Sequence, residues 1–268
     1  DAHALAEDFS KAQLKHEISQ SASSEEATEQ TISLEERYTL LDELLKSNDY
    51  QTVERNCTIS LDASDKDGET SWEIRRTNTL ENDLVGGLMN DLTDPDILSP
   101  EDTILVYLNT LKNMTAEELG NYLNAASIIS TEDPAKISLA EALVKQVHST
   151  FDYSIGETTV SGYTATVTAN ITTFDSDAIL ENYQKELDTY LASVDAVIDG
   201  AQKRYEKSYS LLLEYIEENT ATKTVKTTFT LINDGASWKL EDAGTVFGQA
   251  LFGTLSSSPV EDKQETNG

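Results

Sequence analysis

The chain has 268 residues, of which 38% are hydrophobic, which is enough for two domains with ordinary cores. Its 49 acidic and 19 basic residues give a formal charge of −30, and this argues against nucleic acid and anionic membrane surfaces, because both attract basic patches. One cysteine excludes an intrachain disulfide and no run approaches the length of a membrane span, so we expect a soluble portion of a protein held together by packing.

The N-terminal segment, up to Ser47, has two helical patterns. Residues 1–19 carry apolar side chains at a spacing close to one helical face, namely Leu5, Phe9, Leu14 and Ile18. Residues 19–30 have no apolar period, which is typical of a solvated helix extension or a loop. Ser33 and Glu36 form a capping-box pattern, which predicts a helix continuing to about Ser47.

The next segment is typical of a β-hairpin followed by a short helix. Apolar residues at Val53, Cys57, Ile59 and Leu61 predict a strand near 52–61 with those side chains in the core. Asp67-Gly68 supplies a tight turn, and the returning strand is expected at 71–74, with Trp72 in it.

A boundary is predicted at residues 90–98, where Asp94-Pro95-Asp96 interrupts the pattern. Ser99 followed by Pro100 is a strong helix start, so helices are expected at 100–113, at 115–124 with a cap formed by Thr115 and Glu118, and at 138–150. Strands are then expected at 153–160 and 163–174. A long amphipathic helix should start after Asp175 or Ser176, with a bend at Gly200.

The last segment repeats the hairpin pattern. Strand 224–232, an Asn-Asp-Gly turn, strand 237–240 and a short helix match the earlier hairpin by residue type, so that 38–89 aligns with 209–255. In this alignment Ile59 matches Leu231 and Trp72 matches Trp238. Residues 1–11 likewise resemble 175–185. The first copy therefore begins in mid-unit, either by truncation, which we favour, or as a natural half-module.

A half-module would leave its two strands uncovered. A two-stranded ribbon is marginal alone, so we expect the face of Val53, Ile59 and Trp72 to pack on the second module, or the open edge to pair with another chain or a segment cleaved from this one. Residues 1–92 should then be unable to fold as an independent fragment.

Three helices, a hairpin, a long helix and a second hairpin with one Trp near its end resemble the cone-shaped α+β fold of nuclear transport factor two and ketosteroid isomerase. Residues 224–240 and 246–253 are similar to segments of extracytoplasmic lipoproteins of Gram-positive bacteria. The resemblance implies two tandem cystatin-like modules, the first lacking its N-terminal half, in a lipid-anchored surface protein of unsettled activity. The anchoring cysteine would lie upstream of Asp1, and Cys57 is not that residue. The expected domains are 1–92, a linker 93–98, a complete module 99–258 and a disordered tail 259–268.

Candidate chemistry is sparse. The related isomerases use an acid with a tyrosine, and Asp152, Tyr153 and Tyr163 lie near suitable strands, but such proximity is common by chance. Residues 62–69 suggest a calcium loop until the spacing places Ala63 and Ile74 at ligand positions, so a plain acidic hairpin is the better interpretation.

The remaining reactive residues are isolated in the sequence. His3, His16 and His148 lack partners at metal-ligand spacing, and Cys57 is interpreted as a buried thiol in a strand. We therefore predict no catalytic, cofactor-binding or metal site.

Three functions remain open. The first is a non-catalytic binding or interaction protein of the cell surface, with an unidentified ligand or protein partner. The second is a structural spacer, which requires modules filled with side chains. The third is an enzyme using the cavity of the second module, and a raised pKa of Asp152 would be its sign.

Overall fold

The computed structural model describes residues 1–22, 32–47, 50–54, 56–123 and 134–256. Residues 23–30, expected to be solvated, and the expected tail 259–268 lie outside the described residues. Within the described ranges the helices are α1 Ala2–Ser21, α2 Leu34–Ser47, α3 Asn78–Leu84, α4 Leu88–Asp91, α5 Pro100–Asn113, α6 Ala116–Tyr122, α7 Pro134–Thr150, α8 Ser176–Leu191, α9 Val194–Glu218 and α10 Ala243–Phe252, with a 3₁₀ turn at Gly253–Ser256. None of these helices is both long and apolar enough to cross a membrane.

The strands form two antiparallel sheets, so the α+β fold class is confirmed. A two-stranded ribbon consists of β1 Leu61–Lys66 and β2 Glu69–Ile74. A four-stranded sheet has the order β3-β4-β5-β6, with β3 Asp152–Ser161, β4 Thr164–Phe174, β5 Thr222–Asn233 and β6 Trp238–Leu240.

The helix starts predicted at Ser33, Ser99 and Thr115 are confirmed by their caps, whereas the helix expected from 138 begins at Pro134. The Ser33 hydroxyl accepts from the amide of Glu36, whose carboxylate accepts from the Ser33 amide, and Thr115 and Glu118 repeat this box. Ser99 caps α5, with Pro100 at its first position. These local bonds fix where each helix enters the fold.

The expectation of a single long helix after Asp175 is wrong, because the chain forms two helices, α8 and α9, and reverses its direction between them. Helix α8 ends at Leu191, and Ser193 caps α9 by accepting from the Ala196 amide. The expected bend is present, since Gly200 has a φ of 72°. The two helices then lie antiparallel, and the hydroxyls of Tyr183 and Ser208 are 2.7 Å apart.

The strand expected at 52–61 is also wrong. Regular pairing begins only at Leu61, and the side chains expected in the core, Val53, Cys57, Ile59 and Leu61, are exposed. The alternation is a strand-like period, but a strand needs a partner along its edge and a surface against its face. Here neither is supplied by the described residues on that side of the ribbon.

The core lies between the four-stranded sheet and helices α5, α6, α7 and α10. Phe229 and Phe247 are fully buried, with ring centroids 5.3 Å apart, and the rings of Tyr107 and Tyr122 pack on Phe247. Burial raises the pKa of Tyr107 to about 12, so its hydroxyl stays protonated at neutral pH. The helix-covered face of the sheet is thus packed with aromatic side chains.

Helix α1 joins the N-terminal part of the chain to this core. Its Ile18 is 3% exposed and belongs to the same apolar cluster as the four-stranded sheet, and Leu14 packs against that cluster. The expected packing of the Val53, Ile59 and Trp72 side chains on the second module is wrong, because these residues are exposed. The helix, which has a continuous apolar stripe, makes the contact instead of the ribbon.

Candidate interaction surface

The acid and tyrosines suggested for catalysis do not form a site. Asp152 is exposed and pairs with Lys112 at 2.6 Å, and this hydrogen bond holds its pKa below the usual range. The Tyr153 hydroxyl donates to Asn109 at 2.6 Å. Tyr163 lies at the far end of the β3–β4 hairpin and is 77% exposed. The sign required by the enzyme hypothesis, a raised pKa at Asp152, is therefore reversed.

The other reactive residues are also dispersed. His3 lies 3.7 Å from Asp91 and His16 lies 3.7 Å from Glu36, whereas His148 is exposed on α7. Cys57 is exposed, so its interpretation as a buried thiol is wrong, for the same reason that the strand at 52–61 is absent. Among the described residues, no group of three or more His, Cys, Asp or Glu side chains could hold a metal ion.

The acidic hairpin is a plain turn stabilised by its own side chains. Asp67 and Gly68 have φ of 54° and 84°, as a tight hairpin turn requires. The Thr70 hydroxyl donates to Asp65, and Arg75 Nε donates to Asp62 at 2.9 Å, which lowers the pKa of Asp62. These carboxylates face solvent and their own neighbours rather than one another.

The two hairpins, β1–β2 and β5–β6, share one hydrogen-bonding register. Leu61 pairs with Ile74 as Leu231 pairs with Leu240, and Ala63 pairs with Trp72 as Asn233 pairs with Trp238. The Arg75 amide donates to Ser60 at 2.9 Å, and the Glu241 amide donates to Thr230 at 2.9 Å.

This shared register corrects the sequence alignment. When Trp72 is set against Trp238, the counterpart of Leu231 is Leu61, so the alignment of Leu231 with Ile59 is wrong by two positions. An even shift leaves every side chain on its own face of the strand. The faces assigned from the sequence are therefore unchanged, and Phe229 becomes the counterpart of Ile59.

Helices α1 and α8 begin alike beside these hairpins. Asp1 caps α1 by accepting from the amides two and three positions later, and Asp175 does the same for α8. The Asp1 nitrogen donates to the carbonyl of Gln51, and the Asp175 amide donates to Ala221, which is the counterpart of Gln51 in the hairpin register. The start of α1 and the start of α8 are therefore each hydrogen-bonded to the segment that leads into a hairpin, at matching positions.

Burial, in contrast, differs between the two hairpins. The ribbon face, which we define as Ile59, Leu61, Trp72 and Ile74, is half or more exposed at every residue, from 50% at Ile59 to 64% at Trp72. Leu231 and Trp238 at the matching positions are buried, at 0% and 6%. The Trp238 indole nitrogen also donates to Asp96 at 2.9 Å, from the segment preceding α5.

Two clefts occupy matching places at the helix starts. One of about 310 Å³ lies against α8 and β5, and its polar wall contains Asp177, which accepts from Lys223 at 2.5 Å and from Thr254 at 3.0 Å. The other, of about 520 Å³, lies against α1 and residues 50–53. Its lining includes the apolar side chains of Leu5, Leu45, Val53, Leu84 and Val85.

A second exposed apolar group lies at the tip of the α8–α9 hairpin. Its members are Leu191, Val194, Val197 and Ile198, and the last three are at least 74% exposed. Sequence reasoning missed this tip because a continuous helix would have placed most of these residues along its apolar stripe. The Ser193 cap before Val194 was the available signal.

Comparison with known proteins adds little. No protein-family model matches the chain, and no curated protein matches it either. Among solved structures, a candidate lipoprotein of Bacillus subtilis, ycdA, matches with 12% identity and a TM-score of 0.37, over 70% of this chain and 64% of that chain. Because this similarity is too low to establish a shared fold, the function is argued from the chain's own surfaces.

Proposed function

We propose that the chain is a non-catalytic interaction protein of the cell surface, of the lipoprotein type found in Gram-positive bacteria. In this proposal it consists of a module at 99–258 with the cone-shaped fold of nuclear transport factor two, a linker at 93–98, and a copy of the back half of that module at 1–92. The matched registers of the two hairpins and the matched starts of α1 and α8 support the internal copy.

The observation that carries the proposal is the ribbon face. Leu61, Trp72 and Ile74 lie on one face of a small antiparallel ribbon, Ile59 lies two residues before its first strand, and each of these side chains is at least half exposed. Exposed apolar groups of this kind mark interaction sites, because burying them on a partner is favourable by about 25 cal/mol per Å². The matching residues Leu231 and Trp238 are core residues, so the ribbon has the side chains of a surface that is meant to be covered.

Catalysis has less support. Asp152 is exposed, with a lowered pKa, and the hydroxyl of the adjacent Tyr153 donates to Asn109. We therefore keep the expectation that the protein has no hydrolase or isomerase activity dependent on His3, His16, His148 or Cys57. Activity abolished by Cys57→Ser, or a stoichiometric transition metal that survives dialysis, would contradict it.

A spacer role is the second candidate, favoured by the aromatic packing of Phe229 and Phe247 on the helix-covered face of the sheet. A spacer needs no partner at the ribbon. An interaction protein should therefore have a partner in contact with residues near Cys57, whereas a spacer should not.

Photo-crosslinking from Cys57 tests this difference. Cys57 is the only cysteine and is exposed just before Ile59 in the chain, so a benzophenone maleimide labels one site beside the ribbon face. The labelled chain is irradiated with cell-envelope extract, and adducts are identified by mass spectrometry. An interaction protein gives one discrete adduct, which excess unlabelled chain competes away.

Two controls locate the contact. A Cys57→Ser, Tyr163→Cys chain carries the label on the exposed β3–β4 turn and should not give the adduct. Excess unlabelled Trp72→Ser, Ile74→Ser chain should fail to compete. The same adducts from both label positions, or full competition by the double variant, would support the spacer and overturn the interaction.

A further inference from the structure

The apolar tip of the α8–α9 hairpin is held in a defined shape, with its large side chains on the outside. Ser193 caps its first turn, and Gly200, whose backbone is not helical, separates the tip from the rest of α9. The Tyr190 hydroxyl donates to Asp199 at 2.9 Å, which ties the turn to the end of α8. Ala196 is 2% exposed on the inner side of the turn. The tip therefore cannot rotate to bury its outer side chains without losing these contacts.

The outer side of this turn is aliphatic. Val194, Val197 and Ile198 are 74%, 80% and 75% exposed, and Leu191 is 49% exposed at the end of α8. Residues three and four apart on a helix share one face, so the first three side chains form a single patch. Asp195 carries the only charge between Leu191 and Ile198. Exposed apolar patches with few charges mark surfaces that are covered by a protein or by lipid.

The small size of the tip favours lipid over a protein partner. A stable protein–protein interface takes about 20–30 residues on each side. The tip has four apolar side chains at the turn between two antiparallel helices. These side chains carry about as many carbon atoms as one myristoyl chain, which by itself gives marginal, reversible membrane binding. The patch is therefore large enough for shallow insertion into a lipid surface and too small for a stable dimer.

Charge determines which lipid surface can receive the tip. The chain has a formal charge of −30 and Asp195 lies within the tip, so an anionic bilayer repels the chain as a whole and the tip itself. The two cations that follow the tip are engaged within the hairpin. Lys203 lies 3.7 Å from Asp199, and Arg204 donates to the carbonyl of Ala196 at 3.5 Å. They therefore form no basic patch that would select anionic lipid, and a zwitterionic bilayer is the matching surface.

We propose that the tip inserts reversibly into the surface of a zwitterionic lipid bilayer. Val194, Val197 and Ile198 enter the boundary between headgroups and acyl chains, and Asp195 stays among the headgroups. Because the contact is weak, it orients the molecule at a bilayer rather than anchoring it there. The inference goes beyond the proposed function and does not depend on it, since the tip is a second surface with a different kind of partner from that of the ribbon face.

Flotation with phosphatidylcholine vesicles tests the proposal. The full chain is mixed with vesicles at millimolar lipid and separated in a density gradient, and the fraction that floats is measured. Val197→Asp, Ile198→Asp should lower this fraction by about tenfold or more, because it places two charges in the apolar boundary. Val197→Ser, Ile198→Ser adds no charge and should also lower it. Replacing part of the lipid with phosphatidylglycerol should weaken the binding of the unsubstituted chain.

A matched control removes two exposed apolar side chains elsewhere. Val160 and Tyr163 lie at the β3–β4 turn and are 54% and 77% exposed. Val160→Asp, Tyr163→Asp adds the same two charges as the variant at Val197 and Ile198, and it should keep vesicle binding. All four side chains face solvent, so both variants should fold, which circular dichroism verifies.

Four results would overturn the proposal. They are no flotation of the unsubstituted chain, an equal loss of binding in the control, stronger binding to phosphatidylglycerol, and loss of flotation in Trp72→Ser, Ile74→Ser, which would place the contact at the ribbon. A dimer in sedimentation that Val197→Asp, Ile198→Asp dissociates would do so as well, because the tip would then be a protein interface. The Cys57 adduct is measured without vesicles, so the failure of either experiment leaves the conclusion of the other unchanged.

Discussion

Two hairpins of the molecule have the same register and opposite surroundings. Trp72 and Trp238 stand opposite Ala63 and Asn233 in matching pairs, yet Trp72 is 64% exposed and Trp238 only 6%. The difference lies outside the hairpins: β4 closes the edge of one, and α5, α6 and α10 contribute to the core on its face. Strand pairing is thus encoded locally, whereas burial depends on elements distant in sequence.

The largest expected effect concerns the dependence of residues 1–92 on the rest of the chain. A fragment of residues 1–92 keeps a two-stranded ribbon, which is marginal alone, and exposes Ile18, which the intact chain buries. We expect no cooperative unfolding transition by circular dichroism and no protected strand amides. Cooperative unfolding of a monomeric fragment would show that residues 1–92 fold without the rest of the chain and would remove the reason for a partner.

A matched pair of alanine substitutions tests the comparison within the intact chain. Phe229 is fully buried against Phe247, so Phe229→Ala should lower the free energy of unfolding by about 3–5 kcal/mol. Ile59, its counterpart in the shared register, is half exposed, and Ile59→Ala should change the free energy of unfolding by less than about 0.5 kcal/mol. Denaturant titration measures both. Similar losses would mean that the ribbon face is covered in the free protein.

The tryptophans give a smaller effect with an optical readout. Trp238→Phe removes the hydrogen bond to Asp96 and should cost about 1–2 kcal/mol, whereas Trp72→Phe should be nearly neutral. In the two single-Trp variants, acrylamide should quench Trp72 strongly and Trp238 weakly. Equal quenching would contradict the difference in burial.

Local signals in the sequence were sufficient for much of the fold. The boxes at Ser33 and Thr115, the start at Ser99 and the Asp67-Gly68 turn were predicted, because each depends on bonds between near neighbours in the chain. The reversal before Val194 was missed because the apolar stripe continues across it.

The candidate surface was predicted only in part. The alternation of Val53, Ile59 and Leu61 identifies one apolar face of an extended segment. The same alternation is found in a face buried in the core and in a face that binds a partner. Whether helices cover it is decided by residues far away in the chain. Exposure of the ribbon face therefore had to come from the structure.

The smallest expected effect is a pH dependence confined to the cleft beside α8. Hydrogen bonds from Lys223 and Thr254 hold the pKa of Asp177 below its usual range, so their contribution to stability is complete above the ordinary Asp value of about 4. It is lost as the pH falls through the lowered value. Asp177 lies two residues after the Asp175 cap, and the residue two positions after the Asp1 cap is His3. The cleft beside α1 therefore lacks a carboxylate at the position that Asp177 occupies beside α8. Thermal unfolding between about pH 2 and pH 6 should show a weaker acid dependence in Asp177→Asn and Lys223→Ala. The double variant should add little to either. An undiminished acid dependence in both single variants would mean that the loss of stability at low pH is governed by other carboxylates and not by the Asp177–Lys223 pair.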